Sequence, residues 1–167
     1  MITKRIKQNN IDYSSLVDMH IHTNYSPDSM MTLEQTLIEL QGFVNAITIT
    51  DHNIISFVPD LILNSYEEKY QIKTFTSSVE ISSIFGDILA YGIDSVPSTN
   101  LHPKEIIDII HSEGGIVAAA HPFDPLGLGD KIYELDLDAI EINGSRFRDA
   151  NAIAKEAAES MGLPCIG

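Results

Sequence analysis

The stretch DMHIHTNYSPDS, residues 18–29, places two histidines at the end of a predicted β-strand. It closes a mostly apolar run and spaces Asp18, His20 and His22 two residues apart. Side chains two apart on a β-strand point to the same side, so these three would share one face. Neighbouring neutral imidazoles suit a metal ion, whereas protonated imidazoles repel each other. Taken alone, the pattern fits a metal site and an ordinary surface or core pair equally well.

Strand-like segments alternate with helix-like segments along the rest of the chain. The strand-like segments are 15–22, 44–52, 72–82, 87–93, 116–121, 137–143 and 163–167, and the helix-like segments are 32–42, 56–70, 102–115 and 148–162. Thr32 and Gln35 offer a capping box for the first helix, and residues 83–86 suggest a hairpin turn. This alternation, with short connections, predicts a single domain of parallel α/β architecture.

Histidines and carboxylates fall at the ends of these strand-like segments. In chain order the polar ends are His20 with His22, Asp51 with His52, Glu80, His121, and Glu141 with Asn143. The carboxyl ends of parallel strands gather on one face of an α/β fold, where ligands bind. The sequence therefore predicts one pocket lined by five side chains: His20, His22, His52, Glu80 and His121.

Each of these polar positions also has an ordinary structural role open to it. Asp28 lies in a loop that suits a turn, the segment TDHN at 50–53 does so as well, and His121 could be a satisfied core histidine. His102 and His111 belong to the third helix and are predicted as surface or capping residues. Together, however, four histidines and two to four carboxylates exceed what one ion needs. That surplus predicts two or three ions of zinc, manganese or iron.

The chain is acidic, with 24 Asp and Glu against 10 Lys and Arg and a formal net charge of −14. That field repels phosphate backbones, so we expect no broad nucleic-acid-binding surface. Most of the carboxylates would solvate helix surfaces, and some could hold cations that accept an anionic substrate. No apolar run approaches the roughly 20 residues that span a bilayer, which predicts no membrane partner. With Cys165 as the single cysteine and no signal-peptide pattern, a cytoplasmic location is expected.

Five ordered motifs resemble the PHP family, the polymerase and histidinol phosphatase domains. They are DMHIHTNYSPDS, AITITDHN, VEIS followed by GDILAYGI, GGIVAAAHPF and AIEINGS, and they cover nearly the whole chain. The resemblance implies a distorted seven-stranded β/α barrel, similar to a TIM barrel, with a metal cluster at the strand carboxyl ends. It also implies hydrolysis of phosphoesters, commonly nucleotides or other small phosphomonoesters, by a metal-bound hydroxide.

The same resemblance assigns roles to individual residues. By it, His20 and His22 bind a first metal, and Glu80 bridges to a second metal that His121 also binds. Asp28 and His52 would hold a third. The catalytic group that the resemblance implies is His20, His22, Glu80 and His121.

The resemblance also identifies supporting residues and two departures from the family pattern. Asp18 and Asp51 are assigned to hydrogen bonds that orient ligating imidazoles. Asp87 stands where many members have a histidine, so it supplies an oxygen ligand or the second site is one ligand short. The family's final Asp and His, which would follow the strand at 163–167, are absent. We therefore expect a domain, residues 1–167, that lacks its last motif, with weakened first and third sites and an exposed C-terminal edge prone to self-association.

The sequence thus favours a cytoplasmic metal-dependent phosphoesterase that acts on a small phosphorylated substrate. Arg146 and Arg148 follow Asn143, and they could orient the substrate phosphate or be exposed charges at the start of a helix. Two rivals stay open. One is an amidohydrolase-type metal hydrolase with the same site, and the other is a non-catalytic PHP-like partner in assembly or RNA processing.

Overall fold

The computed structural model describes residues 16–142, 144 and 147–167, and their eight strands form two sheets. The first sheet is parallel and has the order β1 (Val17–Ile21), β2 (Ala46–Ile49) and β3 (Lys73–Phe75). The second sheet has five strands in chain order: β4 (Ser78–Ser82), β5 (Asp87–Tyr91), β6 (Ile116–Ala119), β7 (Ala139–Glu141) and β8 (Cys165–Ile166). Strands β4, β5 and β6 pair antiparallel, whereas β6, β7 and β8 pair parallel.

Helices connect most of the strands. They are α1 (Leu33–Leu40), α2 (Asp60–Tyr70), α3 (Pro103–Ser112), α4 (Arg148–Met161) and a 3₁₀ helix at Gly129–Glu134. Helix α1 begins at the predicted capping box, since the hydroxyl of Thr32 accepts from the backbone N–H of Gln35 and the Gln35 side chain accepts from that of Thr32. Helix α4 ends at Gly162, whose φ of 68° lies in the left-handed region that glycine adopts without strain. The four predicted α-helices are confirmed.

The pairing of the strands is mixed, whereas the sequence predicts a parallel α/β architecture with one hairpin turn at 83–86. The N–H of Ser83 donates to the carbonyl of Gly86 at 3.1 Å, so the predicted hairpin turn is confirmed and reverses the chain between β4 and β5. The predicted strand at 72–82 is two strands, because β3 pairs with β2 whereas β4 pairs with β5. The fold is therefore mixed α/β. Over the part of the chain that the structure describes, two sheets are found, whereas the family resemblance implies a distorted seven-stranded barrel.

The two sheets meet just beyond the carboxyl end of β2. His52 forms an isolated parallel bridge with Glu80 of β4. The N–H of Asn53 donates to the carbonyl of Glu80 at 2.7 Å, and the N–H of Glu80 donates to the carbonyl of Asp51 at 3.3 Å. The chain after β2 thus continues as a short partner of β4. This junction brings the polar ends of both sheets to one place.

Two apolar clusters support the two sheets from the helical side. In the larger one, Ile106 and Ile110 of α3 pack with buried residues of β4 to β7, such as Ile81 and Ile140. In the smaller one, Leu37 of α1 packs with buried residues of the first sheet. The burial of such branched side chains is the main stabilising contribution to each layer. No helix in the described ranges is both long enough and apolar enough to cross a bilayer.

Candidate metal centre

Four imidazoles surround the carboxylate of Glu80, whose residue has no exposed surface. Its Oε2 lies 2.8 Å from Nε2 of His22, 3.1 Å from Nε2 of His20 and 3.3 Å from Nδ1 of His52. Its Oε1 lies 2.9 Å from Nε2 of His121. Both oxygens of one carboxylate are therefore used, and the nitrogens of four histidines converge on it.

Each of these side chains comes from a strand or from the residues just after one. His20 lies in β1 and His22 follows it, His52 follows β2, Glu80 lies in β4, and His121 follows β6. The structure brings together every residue that the sequence analysis assigned to metal binding. All seven line one cavity of about 820 Å³, namely His20, His22, Asp28, His52, Glu80, Asp87 and His121.

Two groups of side chains have the geometry to hold an ion. One is His20, Glu80 and His121, and the other is His22, Asp28 and His52, with ligand atoms within 4.8 Å of one another in each. In the second group both oxygens of the Asp28 carboxylate lie 3.0 Å from Nδ1 of His22. This grouping places His20 and His22 in different groups, whereas the family resemblance assigned them to one ion. Each group mixes imidazole with carboxylate, which zinc, manganese and iron accept.

Protonation of the imidazoles compensates the buried carboxylates of the metal-free cluster. Burial lowers the pKa of His20, but hydrogen bonds to Glu141 and Glu80 outweigh it and raise that pKa to about 10. Burial also lowers the pKa values of His22 and His121, but hydrogen bonds to Glu80, joined at His22 by one to Asp28, outweigh it and raise both pKa values. Burial raises the pKa of Glu80, yet hydrogen bonds from His121, His20 and His22 hold it well below its usual range. Positive charge is thus needed between these side chains, and a divalent cation is a natural source of it.

An unpaired nitrogen also indicates that the cluster is chemically incomplete without further partners. Nδ1 of His121 is buried and has no hydrogen-bond partner among the described residues. Buried polar atoms of folded proteins are nearly always paired, so such an atom calls for an explanation. Together with the mixed donor set, it fits a centre built for metal ions.

Glu141 of β7 is the residue whose role the sequence did not reveal. Its Oε1 lies 2.9 Å from Nδ1 of His20, and its Oε2 accepts the backbone N–H of His121 at 2.6 Å. Gly144 lies against this carboxylate, and a Cβ at that position would overlap it. The sequence placed Glu141 at a strand end, which is the only signal that could have pointed to it.

The structure corrects the roles expected for Asp18 and Asp51. Oδ1 of Asp18 accepts the backbone N–H of His20 at 3.3 Å instead of contacting an imidazole ring. The buried carboxylate of Asp51 accepts the backbone N–H of Thr23 at 2.6 Å and the Thr23 hydroxyl at 2.7 Å, and it also accepts from Ser56. Asp51 therefore fixes the loop after His22. The imidazole of His20 is oriented by Glu141 instead.

The remaining residues that the sequence analysis singled out differ in their positions. Asp87 is buried in the cavity wall, and burial together with the nearby Glu80 raises its pKa. Arg148 is exposed at the first residue of α4, and Arg146 lies outside the described residues. His102 is exposed and caps α3, because its Nδ1 accepts the N–H of Lys104 at 3.2 Å. This last role agrees with the sequence prediction.

Comparison with known proteins gives a relative and several structures of the same fold. No protein-family model matches the sequence. The uncharacterized protein MJ1587 of Methanocaldococcus jannaschii is 31% identical over 145 residues, which are 79% of this chain and 83% of MJ1587. The chain belongs to the family of MJ1587.

Solved structures with the same fold include a protein of Bifidobacterium adolescentis described as a candidate metal-dependent phosphoesterase. It superposes with a TM-score of 0.70 at 14% identity and covers 91% of this chain and 86% of its own. A two-domain protein of Bacteroides vulgatus that contains a predicted PHP-like metal-dependent phosphoesterase gives a TM-score of 0.67 at 20% identity, over 89% of this chain and 49% of its own. This chain has the PHP fold.

The lesion-specific endonuclease Q of Pyrococcus furiosus has the PHP fold as well. It gives a TM-score of 0.60 at 17% identity, over 89% of this chain and 46% of that enzyme. The chain thus spans about half the length of the Bacteroides and Pyrococcus proteins. The resemblance to PHP proteins drawn from the sequence motifs is confirmed, and residues of those motifs line the cavity of the candidate metal centre.

Proposed function

We propose that this chain is a metal-dependent phosphoesterase that hydrolyses small phosphomonoesters, nucleotides among them. The observation that carries this proposal is the convergence of four imidazoles on both oxygens of the buried Glu80 carboxylate. The presence of metal-dependent phosphoesterases among the proteins of the same fold supports it.

Two ions would be held by the groups His20–Glu80–His121 and His22–Asp28–His52. Divalent ions in such a centre neutralise phosphoryl oxygens and make water a stronger nucleophile at neutral pH. Asp87, in the same cavity wall, is an additional oxygen donor for an ion in the second site that the resemblance assigned to Glu80 and His121. Zinc, manganese and iron all suit these donors, and a third ion stays a proposal of the resemblance alone.

The chain's own residues orient the side chains of the centre. Glu141 holds the ring of His20 through Nδ1, which leaves Nε2 of that ring facing Glu80. Asp28, with its side chain half exposed, faces His22 at the cavity mouth, where an incoming phosphate would arrive. In the reaction a water oxygen bonds to phosphorus and the P–O bond to the alcohol breaks. The alcohol oxygen takes up a proton, and inorganic phosphate is released.

A second candidate is the cleavage of a nucleic-acid phosphodiester. The shared fold with endonuclease Q favours it, and a structure of endonuclease Q with a 27-mer duplex that carries an abasic lesion at the active site also has this fold, with a TM-score of 0.51. The net charge of −14 counts against a long polyanionic substrate, because it weakens every approach of a phosphate backbone. A nucleic-acid substrate is therefore the alternative that the assay must include.

The test is hydrolysis by metal-loaded protein of p-nitrophenyl phosphate, bis(p-nitrophenyl) phosphate, duplex DNA with an abasic lesion and a cyclic amide. We expect phosphate release from the monoester and loss of both activity and bound metal in Glu80→Gln, whereas Glu105→Gln, on the exposed face of α3, retains both. Turnover of the diester or the DNA alone would favour the nuclease, and turnover of the cyclic amide alone would favour an amidohydrolase. Absence of bound metal and of every activity would favour a non-catalytic partner.

A further inference from the structure

A second cavity of about 520 Å³ adjoins the metal centre. The two cavities share His52, Asp87, Pro125 and Leu126 in their linings, so they are adjacent and have part of their walls in common. The rest of the second cavity is formed mainly by the β4–β5 turn at 82–86. We call this second cavity the side cleft.

The wall of the side cleft exposes apolar side chains. Leu126 is 67% exposed, Ile84 is 53% exposed and Phe85 is 42% exposed, and all three line the cleft. Single exposed apolar residues are common on protein surfaces, but three that share one concave wall beside a charged centre indicate a binding surface. Among the described residues that line the side cleft there is no Lys or Arg, which disfavours a polyanionic occupant.

This wall is held rigidly in place. The N–H of Asp87 donates to the carbonyl of Leu126 at 2.9 Å, and the N–H of Ile84 donates to the carbonyl of Leu101 at 3.1 Å. Gly86, with a φ of 155°, lies so close to the backbone of Gly127 that a side chain there would collide with it.

The ring of Phe85 is held on two sides. It lies 4.0 Å from the ammonium of Lys131, and its centroid is 5.3 Å from that of the His102 ring, edge to face. A wall that is fixed before binding loses little conformational freedom when a ligand arrives, which favours selective recognition.

We propose that the side cleft binds the leaving group of the substrate and selects phosphomonoesters whose alcohol is apolar and flat, such as an aryl alcohol, over polyol phosphates. This inference rests on the proposed phosphoesterase function. With the phosphoryl group in the metal centre, the ester oxygen points its substituent towards the shared wall at Leu126. Leu126 and Ile84 are then residues that determine specificity, because they remove the apolar face of the alcohol from water.

Binding of two non-hydrolysable probes to metal-loaded protein tests the side cleft separately from turnover. Isothermal titration should give a dissociation constant for phenylphosphonate about tenfold below that for methylphosphonate. Leu126→Ser and Ile84→Ser should each reduce this ratio about threefold or more. Ile38→Ser, at a 53% exposed position of α1 outside both cavities, should leave the ratio unchanged.

Kinetics with phenyl phosphate and glycerol phosphate then separate this inference from the function on which it rests. Equal affinity for the two phosphonates would contradict the proposed role of the side cleft, even if both esters are hydrolysed. So would a preference that persists in Leu126→Ser and Ile84→Ser. A phosphonate preference that the two variants abolish supports the side cleft even if neither ester is hydrolysed, in which case the phosphoesterase proposal alone fails.

Discussion

Oε1 of Glu141 lies 2.9 Å from Nδ1 of His20, so a carboxylate from β7 of the second sheet holds a ring that β1 of the first sheet carries. The other oxygen of Glu141 accepts the backbone N–H of His121. One side chain therefore positions two histidines of the same candidate ion group. A carboxylate behind a ligating imidazole fixes the ring and raises its basicity.

Replacing Glu141 by Gln should weaken metal binding without unfolding the protein. Gln keeps the size of the side chain but loses the charge, so we expect a loss of roughly 10- to 100-fold in metal affinity. Competition with a chelating indicator measures this affinity, and Glu105→Gln on α3 is the matched control. An affinity equal to that of the unmodified protein would contradict the positioning role of Glu141.

Gly144→Ala should reproduce the effect of Glu141→Gln without touching a charged group. The added Cβ would overlap the Glu141 carboxylate, which must then move away from His20. We expect a fall in metal affinity with little change in unfolding temperature. Gly162→Ala is the control. Alanine is strained at the positive φ of this position, which should cost about 1 kcal/mol of stability. Because Gly162 lies far from the metal centre, the substitution should leave metal affinity intact.

Asp51→Asn should destabilise the loop that follows β1. The buried Asp51 carboxylate accepts from Thr23 twice and from Ser56, and an amide nitrogen in its place would face a donor. The expected cost is about 1–3 kcal/mol in the free energy of unfolding, measured by urea denaturation of the metal-free protein. Asp94→Asn, at an exposed position, should change that free energy by less than about 0.5 kcal/mol. If Asp51→Asn also changes the free energy of unfolding by less than about 0.5 kcal/mol, the buried contacts of Asp51 contribute no net stability.

The stability of the metal-free protein should fall as the pH rises from 6.5 to 10. The folded-state pKa of His20 is raised to about 10 from an ordinary value of 6.5, so its stabilisation is complete below pH 6.5 and lost as the pH rises through 10. The lowered pKa of Glu80 acts oppositely, with stabilisation that is present above its ordinary value of 4.5 and lost in acid. Thermal unfolding followed by circular dichroism in EDTA measures both slopes.

Two variants define the origin of the alkaline slope. His20→Asn should make it shallower, because the histidine whose pKa is raised to about 10 is gone, whereas His102→Asn, at an exposed capping position, should preserve it. An unfolding temperature that rises between pH 6.5 and 10 in EDTA would contradict the charge compensation described for the cluster.

Local patterns were sufficient to predict the helices and the polar strand ends, but not the pairing of the strands. The capping box at Thr32 and the turn at 83–86 depend on neighbouring residues, and both were predicted. The break between β3 and β4 was missed because the segment 72–82 reads as one strand until its two partners are known. The 3₁₀ helix at Gly129–Glu134 is too short to show a period in the sequence.

The candidate site shows the same division between local and long-range information. His20 and His22 were recognisable because their spacing places them on one strand face. The role of Glu141 depends on its contact with His20, and these two residues lie far apart in the sequence. No local pattern encodes such a contact. The family resemblance assigns Asp51 to an imidazole, whereas its partners in the structure are Thr23 and Ser56. No sequence pattern marks these two hydroxyl residues as its partners.

The junction of the two sheets at His52 and Glu80 has a consequence for the stability and lifetime of the protein. His20 of the first sheet and Glu80 and His121 of the second would hold the same ion, so that ion would act as a cross-link between the two halves. A cross-link that binds only the folded chain raises its stability with ion concentration. Starvation for metal would therefore loosen the two halves from each other and expose the chain to proteases, and the supply of metal would set how long each molecule survives.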